Sequence, residues 1–348
     1  MTDISIATRC ESLPLFTIAI PTFNRAPRLR ACVTAALNQS CEDFEVVVSD
    51  NASSDDTSSV LKQLDNARLR VLRQETNIGP IANWNACLAA ARGAYVVFVS
   101  DDDLIAPHFL DRCGRLLGHD AGIKAIVALG DVITPATGHR RRAVRSRRLK
   151  TGVLDGVDVL QEFLSGRISP QMCTVMIRVE ALRSRGGFPA NWPHTGDLVS
   201  WVPLLLLGRA GFVNESCGTS CTHAASQTSQ LALETIICDI CKLADAISNA
   251  AEEAIPDKGL TERIRSQTRQ YVARHVLGHI ATRRKNGAAL RELLPQMLRW
   301  RNRLRYAAIA DLFQLSVSVA VILLPQPVTR FLARVKRTAR VREPETAA

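Results

Sequence analysis

The sequence is poor in aromatic residues, which make up 5% of its 348 positions. It also lacks an uninterrupted run of the twenty or so apolar residues that a membrane-spanning helix needs. The longest mostly apolar stretch, Ala307–Leu324, contains Asp311 and Gln314. Residues Met1–Leu15 have neither the basic start nor the apolar core of a secretory signal, so we expect a cytoplasmic protein. The scarcity of aromatics and the absence of a reading motif argue against nucleic-acid binding.

Two common nucleotide-binding loops are also missing. The apolar run Phe16–Pro21 predicts a first strand, and the turn after it contains no glycine, unlike that of a dinucleotide-binding dehydrogenase. No Walker A sequence occurs either. Any nucleotide site must therefore be built in another way.

The ten cysteines do not suggest disulfides, because a cytoplasmic chain keeps its thiols reduced. Cys217, Cys221, Cys238 and Cys241 have a spacing loosely like that of a zinc site. The last two, however, lie in a segment with helical periodicity, which favours helix core over zinc. Zinc remains the alternative.

Positive charge is concentrated at the C-terminal end. From Asp257 onward there are 19 Lys and Arg against 6 Asp and Glu, a net charge of +13, whereas the preceding residues sum to −2. This asymmetry predicts an anionic partner. An amphipathic segment at 307–324 lying on an anionic membrane surface would fit, and so would an ordinary core helix with a basic flank. The basic stretch His139–Lys150 is either a solvated loop or a flap near an anionic substrate.

Hydrophobic periodicity predicts strands that alternate with helices of ten to fourteen residues. The predicted strands are 16–21, 44–49, 69–72, 95–99, 123–129 and 172–178; the predicted helices are 27–38, 57–64, 80–92, 107–117, 157–164, 179–185 and 198–207, with helices from 231 onward. Such alternation predicts an α/β fold with a mostly parallel sheet covered by helices on both faces. We expect an N-terminal extension (1–14), a catalytic domain (15–225, with halves 15–120 and 121–225) and a helical basic region (226–348).

Unusual polar groups follow three of these strands. Strand one runs into Thr22, strand two into Asp50, and strand four into the carboxylates Asp101–Asp103. Ligands bind beyond the carboxyl ends of parallel strands, so we expect these groups at one sheet edge. Three consecutive carboxylates repel each other, and a hard divalent ion such as Mg²⁺ or Mn²⁺ would relieve this repulsion. A solvated capping turn is the structural alternative.

In this order the motifs resemble those of the inverting family 2 glycosyltransferases, which have the GT-A fold. The matching pieces are Ile20–Arg25, Gln39, Phe44–Thr57, Asn77–Gly79, Ala91–Gly93 and Val97–Asp103. The resemblance is close over about 15–117 and looser to about 223. Ser100 and Trp84 depart from the usual pattern, which leaves the donor's identity open.

The resemblance implies roles for individual residues. Those expected to bind a nucleotide-sugar are Pro21, Thr22, Asn24, Arg25, Asp50, Ser53, Asn77, Gly79, Asn85 and Asp101. Those expected to hold Mg²⁺ or Mn²⁺ are Asp102, Asp103 and His223. Asp197, in Thr195–Asp197 before an apolar helix, is the expected general base, with a helix cap as its alternative.

The implied activity is transfer of a sugar from a nucleotide-sugar to an acceptor hydroxyl with inversion, in polysaccharide or glycolipid synthesis. The expected acceptor is a glycan or a lipid-linked glycan, and the expected location is the inner face of the cytoplasmic membrane. Two alternatives stay open: a non-catalytic nucleotide-sugar or glycan-binding protein of the same fold, and a metal-dependent nucleotidyltransferase.

Overall fold

The computed structural model describes residues 13–223, 226–285 and 287–299. Within these ranges the strands are β1 (Phe16–Thr22), β2 (Phe44–Asp50), β3 (Leu69–Arg73), β4 (Tyr95–Phe98), β5 (Leu104–Ile105), β6 (Ala125–Thr134), β7 (His139–Arg141), β8 (Gly152–Asp155), β9 (Val175–Arg178) and β10 (Arg209–Cys221). The helices are α1 (Ala26–Leu37), α2 (Thr57–Lys62), α3 (Pro80–Ala90), α4 (Phe109–His119), α5 (Gly156–Leu164), α6 (Val179–Arg183), α7 (Gly196–Trp201), α8 (Gln227–Gln230), α9 (Leu233–Ala254), α10 (Lys258–Lys285) and α11 (Leu290–Arg299).

All ten strands form one sheet. Its order is β3-β2-β1-β4-β9-β6-β10-β5, with β7 added to β6 and β8 added to β10. β1, β2, β3 and β4 are parallel, as are β6 and β10, while β9 runs antiparallel between β4 and β6. The predicted α/β class with a mostly parallel sheet is confirmed. The two halves of the predicted catalytic domain share this single sheet.

Most predicted elements occur within a few residues of their expected bounds, and three details differ. The predicted strand 172–178 begins as a 3₁₀ turn and becomes extended only at Val175. The predicted helix 198–207 is α-helical only to Trp201 and continues as a 3₁₀ helix, because Pro203 has no N–H for the α-helical ladder. The basic stretch 139–150 opens with the short strand β7 rather than being loop throughout.

Hydrophobic cores lie on both faces of the sheet, since successive strand residues point to opposite sides. Phe16 and Ile18 of β1 pack with α1 and α4, whereas Phe98 of β4 packs with α3, α5, α9 and α10. Cys217 belongs to the first core and Cys241 to the second, so the two thiols lie on opposite faces. The alternative of a shared zinc site is therefore wrong.

The region after β10 is helical as predicted, at least to Arg299. α9 and α10 pack on the sheet face that carries α3 and α5. None of the described helices combines the length and apolar character needed to cross a bilayer. The predicted amphipathic segment 307–324 lies outside the described residues.

Candidate active site

The strand ends bring the predicted polar groups together. Thr22 at the end of β1 is in register with Asp50 at the end of β2. The Thr22 hydroxyl donates a 2.7 Å hydrogen bond to the Asp101 carboxylate, which follows β4. Pro21 is buried one residue before Thr22. The expectation that these segments meet at one edge of the sheet is confirmed.

Two loops at this edge are fastened to each other. The Asn24 amide donates to the Ser53 hydroxyl at 2.9 Å, and the Ser54 amide donates to the Asn24 side chain at 2.8 Å. Asn24 and Ala52 both have positive φ, 53° and 60°. Asn adopts this backbone conformation readily, but Ala does so at a cost, and such strain is concentrated at functional sites. The loops are therefore held in a fixed arrangement around the sheet edge.

Asp50 is 1% exposed and both of its carboxylate oxygens are engaged. One accepts the Ser53 amide at 2.9 Å, and the other forms an ion pair with Arg73 at the end of β3. Arg73 also donates to the Ser53 carbonyl at 2.9 Å. The sequence-based prediction missed Arg73, whose position at a strand end was the available signal.

Asn77 and Gly79 reach the same edge through a buried residue that was also missed. The Asn51 side chain donates to the Asn77 side chain and accepts the Ile78 amide, both at 2.9 Å. Gly79 has φ 86°, a conformation that favours glycine, and directly precedes α3. Asn51 thus anchors the turn that opens α3.

Asn85 is half-buried, and its side chain bonds to the backbone of a distant turn. Its side chain donates to the Phe188 carbonyl at 2.8 Å and accepts the Phe188 amide at 2.9 Å. Phe188 packs edge-on against Trp84 and Phe98, which stack on each other with ring centroids 5.5 Å apart. Asn85 therefore fixes the Gly187–Phe188 turn to α3 and to this aromatic cluster.

The three consecutive carboxylates contact different partners. Asp101 bonds Thr22, and Asp103 accepts the Cys221 amide of β10 at 2.8 Å. Burial raises the pKa of Asp101 to about 6, partly offset by the Thr22 hydrogen bond and the Arg25 charge. Burial likewise raises the pKa of Asp103 to about 7. The charge of Asp102 raises both of these pKa values further.

Asp102 and His223 are the predicted metal-binding residues that make direct contact. The His223 Nε2 atom lies 2.5 Å from an Asp102 oxygen, and the Arg28 guanidinium lies 3.5 Å from the same oxygen. Asp103 is 5% exposed and lies behind them against β10. A carboxylate and an imidazole from separate segments suit a divalent cation. The donor set therefore fits the implied ion through Asp102 and His223.

Asp197 lies in the first turn of α7, half-buried below the C-terminal helices. Burial raises the pKa of Asp197 to about 6, while hydrogen bonds from its own amide and that of Leu198 lower it. Burial raises the pKa of Tyr271 on α10, and the charge of Asp197 raises it further. On the same side, the His194 amide donates to Asp239 of α9 at 2.8 Å. α9 and α10 thus close over the Asp197 segment.

Part of the chain matches a known protein family. Residues 17–164 match the model of glycosyl transferase family 2. The chain is 28% identical over 234 residues to an uncharacterized protein of Mycobacterium tuberculosis, covering 65% of this chain and 73% of that protein. It is 40% identical over 94 residues to the GalNAc(5)-diNAcBac-PP-undecaprenol beta-1,3-glucosyltransferase of Campylobacter jejuni, covering 26% of this chain but only 30% of that enzyme.

A solved structure supports the fold over nearly the whole chain. TarS residues 1–349 of S. aureus, in complex with UDP-GlcNAc, superpose with a TM-score of 0.65 at 18% identity, covering 93% of this chain and 92% of TarS 1–349. At this identity the likeness concerns the fold. Residues 17–164 therefore form a glycosyl transferase family 2 domain, and the mostly parallel α/β sheet of the chain has the GT-A fold.

Proposed function

We propose that this chain transfers a sugar from a nucleotide-sugar to an acceptor hydroxyl, with inversion at the anomeric carbon and with a divalent cation. The observation that carries this proposal is the contact between Asp102 and His223 beside the fastened loops at the ends of β1 and β2. Family membership supplies the reaction class, and this contact supplies a place for the diphosphate and its ion.

The donor would bind along the sheet edge formed by Thr22, Asp50 and Asp101. Asp50 is buried and paired with Arg73 and the Ser53 amide, so it would hold in place the loop that surrounds the nucleoside. Asn24 and Ser53 would hold the surrounding loops in place. TarS binds UDP-GlcNAc and UDP in its solved complexes, which supports a nucleotide-sugar of that kind as the donor class.

Asp102 and His223 would hold Mg²⁺ or Mn²⁺, which when bound stabilises the negative charge that develops on the leaving nucleoside diphosphate. The Arg28 guanidinium, 3.5 Å from Asp102, would add a second positive group beside that charge. Asp103 would hold the end of β10, and hence His223, in position through its bond to the Cys221 amide.

Asp197 would take the proton from the acceptor hydroxyl. A carboxylate whose pKa is raised to about 6 is ionised at neutral pH and is a stronger base than an exposed one. The covering helices α9 and α10 limit water around it. An inverting reaction needs one such base and no covalent intermediate, and Asp197 would fill that role.

The acceptor side would favour an anionic glycan or lipid-linked glycan. Seven exposed cations lie in the stretch 139–150. Arg140 and Arg148 form ion pairs with Asp131 and Asp158, and the other five are Arg141, Arg142, Arg145, Arg147 and Lys150. Its first strand, β7, pairs with the end of β6, which neighbours the end of β10 that leads to His223. The Campylobacter jejuni relative is named for a diphosphate-linked undecaprenol substrate. A role in polysaccharide or glycolipid synthesis at the membrane follows as part of this proposal.

The decisive experiment combines binding with product identity. Thermal shifts would be measured with UDP-, GDP- and dTDP-sugars, each with Mn²⁺, Mg²⁺ or EDTA, for the wild type, Asp102→Asn and the exposed control Asp65→Asn. We expect one nucleotide class to stabilise the wild type and Asp65→Asn only with metal, and Asp102→Asn to lose this shift. Turnover should release a nucleoside diphosphate.

Other outcomes would favour the alternatives. Release of pyrophosphate would identify a nucleotidyltransferase. Metal-dependent binding without turnover on any acceptor extract would indicate a binding protein. An equal shift with EDTA would remove the cation from the proposal.

A further inference from the structure

A short two-stranded clip connects the carboxylate loop to a second cluster of polar side chains. β5 pairs antiparallel with Gly218 and Thr219 of β10, and the Ala106 amide donates to the Cys217 carbonyl at 2.8 Å. At one end of this clip lies the bond between Asp103 and the Cys221 amide. His108 and Cys217 lie at the other end.

Three side chains with different donor atoms converge there. An imidazole nitrogen of His108, a carboxylate oxygen of Glu215 and the sulfur of Cys217 all lie within 4.8 Å of one another. The His108 Nε2 atom is 3.9 Å from the Cys217 sulfur. Cys217 is buried, whereas His108 and Glu215 are half-buried, so the cluster has a route to solvent. We call these residues the His-Glu-Cys triad.

Each member of the triad lies at a position where the local structure is irregular or would favour another residue type. His108 occupies the N-cap of α4, where Ser, Thr, Asp or Asn is preferred, and its side chain makes no capping bond. Glu215 and Cys217 flank register shifts in the pairing of β10 with β6, between Val213 and Ser216 and again before Thr219. Bulges of this kind re-aim side chains and occur next to functional sites. Local departures that converge on one point are typical of function rather than of folding.

We propose that the His-Glu-Cys triad binds a Zn²⁺-class transition metal ion, separate from the Mg²⁺ or Mn²⁺ site at Asp102 and His223. Imidazole nitrogen, thiolate sulfur and carboxylate oxygen are all ligands of zinc, and the Cys217 sulfur distinguishes this cluster from Asp102 and His223, because Mg²⁺ and Mn²⁺ do not favour sulfur. Ligands of a tetrahedral zinc ion stand about 3.3–3.8 Å apart, given bond lengths of about 2.0–2.3 Å. The His108–Cys217 separation needs only a small contraction to reach this range.

The surroundings of the triad support coordination. Arg112 of α4 donates from Nε to Glu215 at 2.6 Å, and second-layer bonds of this type orient metal-binding carboxylates. Burial raises the pKa of the Cys217 thiol to about 12, so the thiol carries its proton in the absence of an ion. Coordination replaces that proton, which passes to solvent, and no electron is transferred. The fourth zinc position is left for water.

The bound ion would stabilise the clip by crosslinking two of its segments. It would tie the start of α4 to β10 and so fix the segment that leads from Asp103 to His108. This inference does not depend on the proposed sugar transfer, because metal content and thermal stability can be measured without a substrate.

The test uses the full-length protein, dialysed against EDTA and reloaded with Zn²⁺, Co²⁺ or Mg²⁺. Bound metal would be measured per chain for the wild type, Cys217→Ser and His108→Gln. Two variants serve as controls: Cys113→Ser removes a neighbouring buried thiol outside the triad, and Asp102→Asn removes the other candidate metal site. Circular dichroism would establish that each variant is folded.

We expect about one Zn²⁺ per chain in the wild type and in both controls, and a loss of affinity of about 100-fold or more in Cys217→Ser and His108→Gln. The Co²⁺-loaded wild type should show a thiolate-to-cobalt charge-transfer band. Absence of that band, no zinc binding by the wild type, or zinc retained by both triad variants would overturn the proposal. If Cys217→Ser does not fold, the half-exposed His108→Gln and the cobalt spectrum decide.

Discussion

Replacing Asp197 by asparagine should remove activity and raise stability at the same time. Loss of a positioned base costs about 10²–10⁴-fold in turnover. The pKa of Asp197 rises from 3.8 to about 6 in the folded protein, so its ionised form is disfavoured by folding. At 1.36 kcal/mol per pH unit, this amounts to about 3 kcal/mol at neutral pH as an upper value. Asparagine keeps the shape of the side chain without that cost.

The direction of the Asp197 pKa shift determines how the stability gain of the variant depends on pH. Below the unfolded pKa of 3.8 the carboxyl is protonated in both states, and the variant gains nothing. The gain grows as pH rises through the window from 3.8 to about 6 and is constant above it. Because about 2–3 kcal/mol corresponds to several degrees in a domain of this size, the variant should melt about 4–12 °C higher at pH 7.5.

Melting curves and initial transfer rates from pH 4 to pH 8 would test this prediction. Wild-type turnover should rise through an apparent pKa near 6, where Asp197 ionises, and stay level above it. The matched control is Asp111→Asn, which removes a first-turn carboxylate of α4 that pairs with Arg115. It should leave turnover unchanged and gain no stability. Wild-type turnover in Asp197→Asn, or a lower melting temperature at every pH, would refute the reasoning.

Three further predictions concern other parts of the molecule. In titration calorimetry, Asp102→Asn should abolish metal-dependent donor binding while Asp65→Asn retains it; equal binding by both would contradict the metal site. Glutamine at Arg141, Arg142, Arg145, Arg147 and Lys150 together should raise KM for an anionic acceptor and flatten its salt dependence without changing kcat, and an unchanged KM would remove this stretch from the acceptor site. Gly93→Ala would place a methyl group 2.7 Å from the main chain of β1 and should lower the free energy of unfolding in urea by about 1–3 kcal/mol. The control Gly118→Ala, whose methyl group meets no atom within 4 Å, should leave this free energy unchanged or raise it. Equal losses in both variants would refute the packing argument.

Secondary structure was predicted best from the sequence at positions where local periodicity and tertiary burial agree. β1, β2 and β4 are continuous apolar runs and are buried on both faces, so their position and the meeting of their polar ends followed directly. β10 was missed because its thirteen residues mix glycine, serine and charged residues, and its extended form depends on pairing with β6, β8 and β5. Antiparallel β9 could not be placed for the same reason, since no local pattern states which strands it will join.

The site shows a similar limit. Thr22, Asp50 and Asp101 could be brought together from strand order alone. Arg73 and Asn51 could not be assigned, because their roles depend on side-chain bonds across loops. Asn85 was predicted to contact the donor, yet its amide is engaged by the Phe188 backbone, 103 positions along the chain. The assignments of Asp197 and of the metal ligands remain predictions until substrates are tested.

The position of β9 has a consequence for how the chain folds as it is synthesised. β4 pairs with β1 on one side, but its other side is covered only by β9, which begins 77 residues after β4 ends. Until Val175–Arg178 leaves the ribosome, the nascent N-terminal half carries an open, apolar strand edge, the kind of surface that recruits other chains. A fragment ending near residue 120 should therefore aggregate rather than fold, so the predicted boundary between the halves 15–120 and 121–225 does not separate two units that fold independently.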